Sequence, residues 1–161
     1  LGIRKYSDRK IIVRFHPNAK DDEQKKIPIK KFEHAAGGNI FFSGGVNIES
    51  DLVIKNTTLA NDCKDAWACV VHNTSASTTP VIYGIPVFTN MKNCPVYDIA
   101  IHNLSLIEEP ELFDRTQWLN DTAYCLWNYE EIRQGIVWER FRNRLTDNGE
   151  YSKKAAMKLG L

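Results

Sequence analysis

YCLWNYEEIRQGIVWERFRNRL, residues 124–145, holds two of the chain's four tryptophans among tyrosine, isoleucine, valine and phenylalanine. Within this stretch two apolar stripes follow helical spacing, one ending at Ile136 and the other beginning at Val137. The stripes change at Gly135, and glycine is a poor residue for a helix interior. The stretch is apolar around much of its circumference, so it must be covered on more than one side.

The same stretch contains a signal for a helix start. Asn128 followed three residues later by Glu131 matches an N-cap with its capping-box partner. This signal predicts a strand over Thr122–Trp127 and a helix over residues 129–145, and the alternative is a single helix throughout. Two shorter helices are also predicted, over Pro110–Leu119 and Ser152–Leu159.

The chain before this stretch carries about six or seven short strand patterns between residues 10 and 106, separated by glycine pairs and polar loops. Pro28 restricts Ile27–Ile29 to an edge position, because proline cannot donate to a strand ladder. The sequence therefore predicts an α+β fold, with an antiparallel β-sandwich or meander sheet over about residues 10–106 covered by carboxy-terminal helices. The strand candidates are Lys10–Phe15, Asn39–Ser43, Asp51–Lys55, Ala66–His72, Val81–Phe88 and Val96–Leu106.

Composition is that of an ordinary globular protein. The 161 residues fit one domain, 1–161, with a β-rich part (10–106) and a mainly helical part (108–161), and this length needs no metal or disulfide staple. No apolar run approaches the roughly 20 residues of a transmembrane helix. Four cysteines are too few for a disulfide scaffold. We expect an intracellular protein, cytoplasmic or nuclear rather than secreted.

Charge is unevenly distributed along the chain. Residues 1–31 hold ten Lys/Arg against four Asp/Glu, residues 32–114 hold three against ten, and residues 115–161 hold eight against six. A basic amino-terminal end could be an arm that contacts phosphates or an acidic partner, or a solvated and mobile terminus. The net-acidic middle argues against a broad nucleic-acid platform.

The residue types that carry chemistry do not converge on a site. Cys69 and His72 have C-x-x-H spacing, with Cys63 and Cys94 as further zinc ligands. Three residues apart on a strand, however, the two side chains face opposite ways. We therefore predict neither a metal site nor a cofactor.

Nucleophilic and acid–base sites are equally unsupported. A cysteine could pair with His16, His34, His72 or His102, but nothing local selects a pair. Glu108, Glu109 and Glu111 lie at a predicted helix start, where carboxylates complement the dipole. No catalytic residue is assigned, and an enzyme is not favoured.

Two sets of residues remain as candidate binding sites. Large aromatic side chains in a region with apolar surface to spare are typical of a protein-partner site. Clustered cations beside aromatic residues are typical of a nucleic-acid site. The partner-binding set is Trp127, Trp138 and Phe141, and the nucleic-acid set is Arg133, Arg140, Arg144, Lys153 and Lys154.

The end of the chain also carries a family resemblance. Trp138–Phe141 (WERF), followed by Lys154–Met157 (KAAM) and Gly160-Leu161, is similar to a carboxy-terminal segment of rhabdovirus matrix proteins. The similarity spans residues 138–161 with gaps, and it lacks a matching late strand and a basic amino-terminal arm of the same kind. The resemblance implies a viral structural protein.

The resulting prediction is a non-enzymatic assembly or interaction module, such as a viral coat or matrix protein, that self-associates or docks a protein partner. The alternative is a nucleic-acid-binding, for instance RNA-binding, domain that uses the basic terminal segments. A hydrolase or transferase with a dispersed site comes third.

Overall fold

The computed structural model describes residues 2–16, 22–35, 39–46 and 48–145. Contacts divide the chain into two compact units, residues 1–115 and 116–161, named here the mixed unit and the helical unit. The prediction of a single domain stays a prediction.

The mixed unit begins with a β–α–β arrangement. Strand β1 (Ile11–Arg14) pairs with β2 (Ile40–Ser43), and helix α1 (Asp22–Ala35) lies between them in the chain. The pairing is parallel, with Ile11 opposite Ile40. Both strands fall within predicted ones, so these two predictions are confirmed. Their parallel direction follows from the intervening helix, since a helical crossover returns the chain to the same end of the sheet.

Helix α1 packs on this sheet through residues at helical spacing. Lys25, Ile29 and Phe32 lie at i, i+4 and i+7, and Ile29 is buried with Ile40 and Phe42. The predicted edge segment Ile27–Ile29 is therefore wrong, because it lies inside α1 with Pro28 in the helix. Burial of Ile29 and packing of Phe32 on Phe42 offset the cost of placing Pro28 inside the helix.

The second half of the mixed unit repeats the parallel arrangement on a smaller scale. Strand β3 (Cys69–Val70) pairs in parallel with β4 (Val87–Phe88), and helices α2 (Leu59–Lys64) and α3 (Thr78–Ile82) flank β3 in the chain. Phe88 is buried with Ile101 and Ile107. Short 3-10 helices complete the unit at Gly2–Lys5, Ser75–Ser77, Tyr97–Ile99 and Leu104–Leu106.

The predicted antiparallel sandwich or meander is wrong. In the described residues the strands form two small two-stranded parallel sheets, accompanied by several helices, within an α+β fold. The longest predicted strand, Val96–Leu106, contains two 3-10 helices, and only Ile101 bridges to Phe88. One cause is local, since the Asn103 side chain accepts a hydrogen bond from the Ser105 backbone N–H and caps the second of these helices.

The helical unit contains α4 (Thr116–Cys125), α5 (Tyr129–Arg133) and α6 (Ile136–Leu145). The strand predicted over Thr122–Trp127 is wrong, because α4 occupies most of it. The helix predicted over residues 129–145 exists as two helices that are interrupted at Gly135, whose φ is +76°.

The two remaining helix predictions have different outcomes. The helix predicted over Pro110–Leu119 begins only at Thr116. The helix predicted over Ser152–Leu159 lies outside the described residues. Within the part of the chain that is described, no helix has the length and apolar character needed to cross a membrane.

Candidate interaction surface

Four side chains of the helical unit form what we name the aromatic–arginine cluster: Tyr124, Trp127, Arg140 and Phe141. The Trp127 and Phe141 rings meet edge to face, with centroids 6.3 Å apart and planes at 61°. The guanidinium carbon of Arg140 lies 3.1 Å from the centroid of Tyr124 and 5.0 Å from that of Trp127. One arginine therefore contacts two aromatic rings in a cation–π arrangement.

Local sequence signals position this cluster. The Asn128 side chain accepts a hydrogen bond from the Glu131 backbone N–H at 2.9 Å, and Glu131 Oε2 accepts one from the Asn128 N–H at 2.8 Å. This capping box confirms the predicted start of α5 directly after Trp127. The positive φ of Gly135 then breaks the chain between α5 and α6.

The part of the helical unit whose side chains are described has little interior of its own. No side chain from residue 116 to 142 is buried. Exposed apolar groups of this density usually mark a surface that another molecule covers. The large exposed apolar side chains here are Tyr124, Leu126, Tyr129, Ile132, Ile136, Trp138 and Phe141.

The predicted partner-binding residues are brought together only in part. Trp127 and Phe141 touch each other, and Trp138 is 59% exposed on α6. Tyr124 was missed, because it was placed on a predicted strand where no helical partner on α6 could be foreseen. The binding role of Trp127, Trp138 and Phe141 stays a prediction.

Of the predicted nucleic-acid residues, the structure describes the side chains of Arg133 and Arg140, and both have contacts within the helical unit. The Arg133 guanidinium donates two hydrogen bonds to Glu130, at 2.9 Å each, and these lower the pKa of Glu130 and raise the pKa of Arg133. Arg140 is occupied by aromatic rings. The Arg144 side chain, Lys153 and Lys154 lie outside the described part of the chain.

The basic amino-terminal segment is also engaged within its own unit. Arg4 donates to the Asn39 carbonyl at 2.8 Å, and Arg9 pairs with Glu108 at 3.0 Å while covering the Trp67 ring at 4.0 Å. These contacts hold Arg4 and Arg9 against the rest of the mixed unit, and binding of phosphates or an acidic partner by the basic amino-terminal end stays a prediction.

A polar network lies at the carboxyl ends of β1 and β2, which is the edge where parallel sheets commonly place ligands. Asp62 accepts hydrogen bonds from Ser43 Oγ at 2.6 Å and Thr57 Oγ1 at 2.7 Å, and it pairs with Arg14. Burial by itself raises the pKa of Asp62, but the hydrogen bonds from Ser43, Thr57 and Arg14 and the charge of Arg14 outweigh it, so the pKa falls below its usual value.

This network is better suited to structure than to catalysis. A carboxylate with a lowered pKa and donors on both oxygens is a weak general base. Instead, it joins the two strand ends to α2. Sequence offered no signal for it, because Asp62 lies 48 residues from Arg14.

Three of the cysteine and histidine candidates, Cys63, Cys69 and His102, have surroundings that do not favour nucleophilic catalysis. Burial, together with the nearby Cys63, raises the pKa of the Cys69 thiol to about 12, so it stays protonated at neutral pH. Burial also raises the pKa of Cys63. The His102 ring donates from Nδ1 to the Thr89 carbonyl at 2.7 Å and stacks on Tyr97.

The described residues contain no group of three or more His, Cys, Asp or Glu side chains that could hold a metal ion. No family model, curated protein or solved structure matches the chain. The resemblance to rhabdovirus matrix proteins therefore receives no support from these comparisons.

Proposed function

We propose that the chain is a non-enzymatic interaction module that self-associates through its helical unit. The supporting observation is the combination of seven large exposed apolar side chains with the lack of any buried side chain between residues 116 and 142. Burying apolar area contributes about 25 cal/mol per Å², so covering these groups is a substantial driving force for association. Aromatic and arginine side chains are also the residues enriched in the centres of protein interfaces.

Self-association is tested by sedimentation velocity of the full chain from low micromolar to several hundred micromolar. We expect the weight-average sedimentation coefficient to rise with concentration. Ile132→Ser, on α5, is expected to raise the dissociation constant of self-association at least about fivefold. The reason is that an apolar contact residue of this size contributes about 1–3 kcal/mol.

Ile27→Ser is the matched control. Ile27 is also an exposed isoleucine on a helix, at 70% against 56% for Ile132, but it lies in the mixed unit. The control should associate like the wild type. A wild-type chain that remains monomeric at every concentration would refute self-association.

Nucleic-acid binding is the second candidate, supported by the stacking of Arg140 on two aromatic rings, a surface on which bases also stack. Two described arginines are neutralised by glutamates, Arg133 by Glu130 and Arg142 by Glu139, which weakens this alternative. RNA binding that falls steeply with salt and is lost in Arg140→Ala/Arg144→Ala would favour it over self-association.

A further inference from the structure

We propose that Arg140 receives a carboxylate from a second copy of the chain, and that the segment over residues 109–114 supplies it. This inference rests on the proposed self-association and specifies its contact. It begins from two groups of opposite charge, the Arg140 guanidinium and the acidic segment that contains Glu111, each beside exposed apolar side chains. Neither Arg140 nor Glu111 has an ion-pair partner among the described residues.

The first group is the Arg140 guanidinium. Its plane lies against Tyr124 and Trp127, yet among the described residues it has neither a carboxylate nor a hydrogen-bond acceptor. The N–H groups of a guanidinium point outward from its edges, in a fork that fits the two oxygens of a carboxylate. Because the aromatic rings hold the group in place, little rotamer entropy is left to lose on binding.

The surroundings of Arg140 favour a carboxylate on an apolar segment over a polyphosphate. Residues 116–142 hold four carboxylates, from Asp121, Glu130, Glu131 and Glu139, against three arginines. A polyanion would meet this negative charge along its whole length. A single carboxylate flanked by apolar side chains would meet Arg140 together with the aromatic rings beside it, Tyr124 and Trp127.

The second group is the acidic segment, residues 109–114 (EPELFD), which contains three carboxylates and no basic residue. Its Leu112 and Phe113 are 59% and 43% exposed. Glu109 and Glu111 take part in no ion pair among the described residues, whereas the preceding Glu108 is paired with Arg9.

The acidic segment is held in an ordered conformation. Arg115, which follows it, donates to the backbone carbonyls of Val81 at 3.1 Å, Gly84 at 3.3 Å and Ile85 at 3.4 Å. An anchored segment that presents a carboxylate beside two exposed apolar side chains is complementary to the aromatic–arginine cluster in charge and in polarity. We take Glu111, adjacent to Leu112, as the donor of the carboxylate.

Charge reversal in the full chain tests this contact by sedimentation velocity. Glu111→Arg and Arg140→Glu are each expected to weaken self-association at least about tenfold, because each places like charges at the contact. A one-to-one mixture of the two variants is expected to restore association. In the mixture, the arginine introduced at position 111 of one copy can meet the glutamate introduced at position 140 of the other, and the native Glu111 and Arg140 can also meet. Lys92→Glu, which makes the same change of charge as Arg140→Glu at an exposed position of the mixed unit outside the proposed contact, is the control.

Circular dichroism of each variant first verifies that helical content is retained. Restoration in the mixture supports the contact. If the wild type self-associates but Glu111→Arg and Arg140→Glu weaken association no more than Lys92→Glu does, the contact is overturned while self-association stands. Restoration in the double variant but not in the mixture would also overturn it. A wild type that stays monomeric is a separate result, and it would refute self-association itself.

Discussion

The turn after β2 offers a matched pair of substitutions that tests the parallel β1–β2 pairing. Gly44 and Gly45 both have positive φ, +86° and +68°, so alanine at either position carries the left-handed backbone cost of about 1 kcal/mol. A β-carbon at Gly45 would meet nothing within 4 Å. A β-carbon at Gly44 would lie 2.7 Å from the Phe15 carbonyl oxygen and 2.9 Å from Arg14 Cγ.

The difference in free energy of unfolding between the two alanine variants therefore reports how closely the chain after β2 approaches the end of β1. The carbonyl of Phe15 is backbone and cannot rotate away, so relief requires β1 and β2 to separate, at a further cost of about 1–3 kcal/mol. We expect Gly45→Ala to lower the free energy of unfolding by about 1 kcal/mol and Gly44→Ala by about 3 kcal/mol.

Urea unfolding followed by circular dichroism measures both values on the full chain. The m-values should agree with that of the wild type, so that the difference in midpoint reports stability alone. Equal destabilisation by the two substitutions, within about 0.5 kcal/mol, would show that Gly44 does not approach Phe15 and would refute the parallel pairing at this end.

The polar network and the capping box yield two further predictions. Asp62→Asn should lower the free energy of unfolding at neutral pH by about 2 kcal/mol, because it removes the charge that Arg14 and Ser43 stabilise. Since the folded pKa of Asp62 is below its unfolded value, this stabilisation is present above about pH 4 and is lost as the pH falls through the folded pKa. Urea titrations across this range should show the deficit of the variant shrinking with acid, and a constant deficit would contradict the role of the charge. Asn128→Ala should cost the α5 start about 1 kcal/mol, seen as reduced helical content and faster amide exchange at Glu131, and unchanged exchange would contradict the capping box.

Sequence reasoning succeeded where the signal was local. The strands at Lys10–Phe15 and Asn39–Ser43 were recognised from β-branched and aromatic residues next to turn signals. The start of α5 was recognised because the Asn128 capping box needs only a three-residue spacing. The helix predicted over residues 129–145 ran through Gly135, although the sequence marked that glycine as a poor helix residue and the break there follows from its own backbone freedom.

The errors arose where distant residues decided the outcome. Pro28 argued against a helix, but α1 forms because Ile29 is buried against Ile40 and Phe42. Recognition of α1 would have changed the predicted sheet from antiparallel to parallel, since strand direction depends on what connects the strands. One missed helix therefore accounts for much of the difference in fold class.

The candidate surface shows the same division between local signals and contacts of distant residues. The sequence by itself determined that residues 124–145 carry more apolar surface than one packing face can use, and it identified Trp127, Trp138, Arg140 and Phe141 as residues of interest. The pairing of Arg133 with Glu130 is also local, since the two residues are three apart within α5. Only the tertiary structure decided that Arg140 lies on Tyr124 and Trp127. Composition and spacing set which side chains are available, but whether the Arg140 charge is stacked on rings from outside its own helix depends on distances between separate segments, which no local pattern encodes.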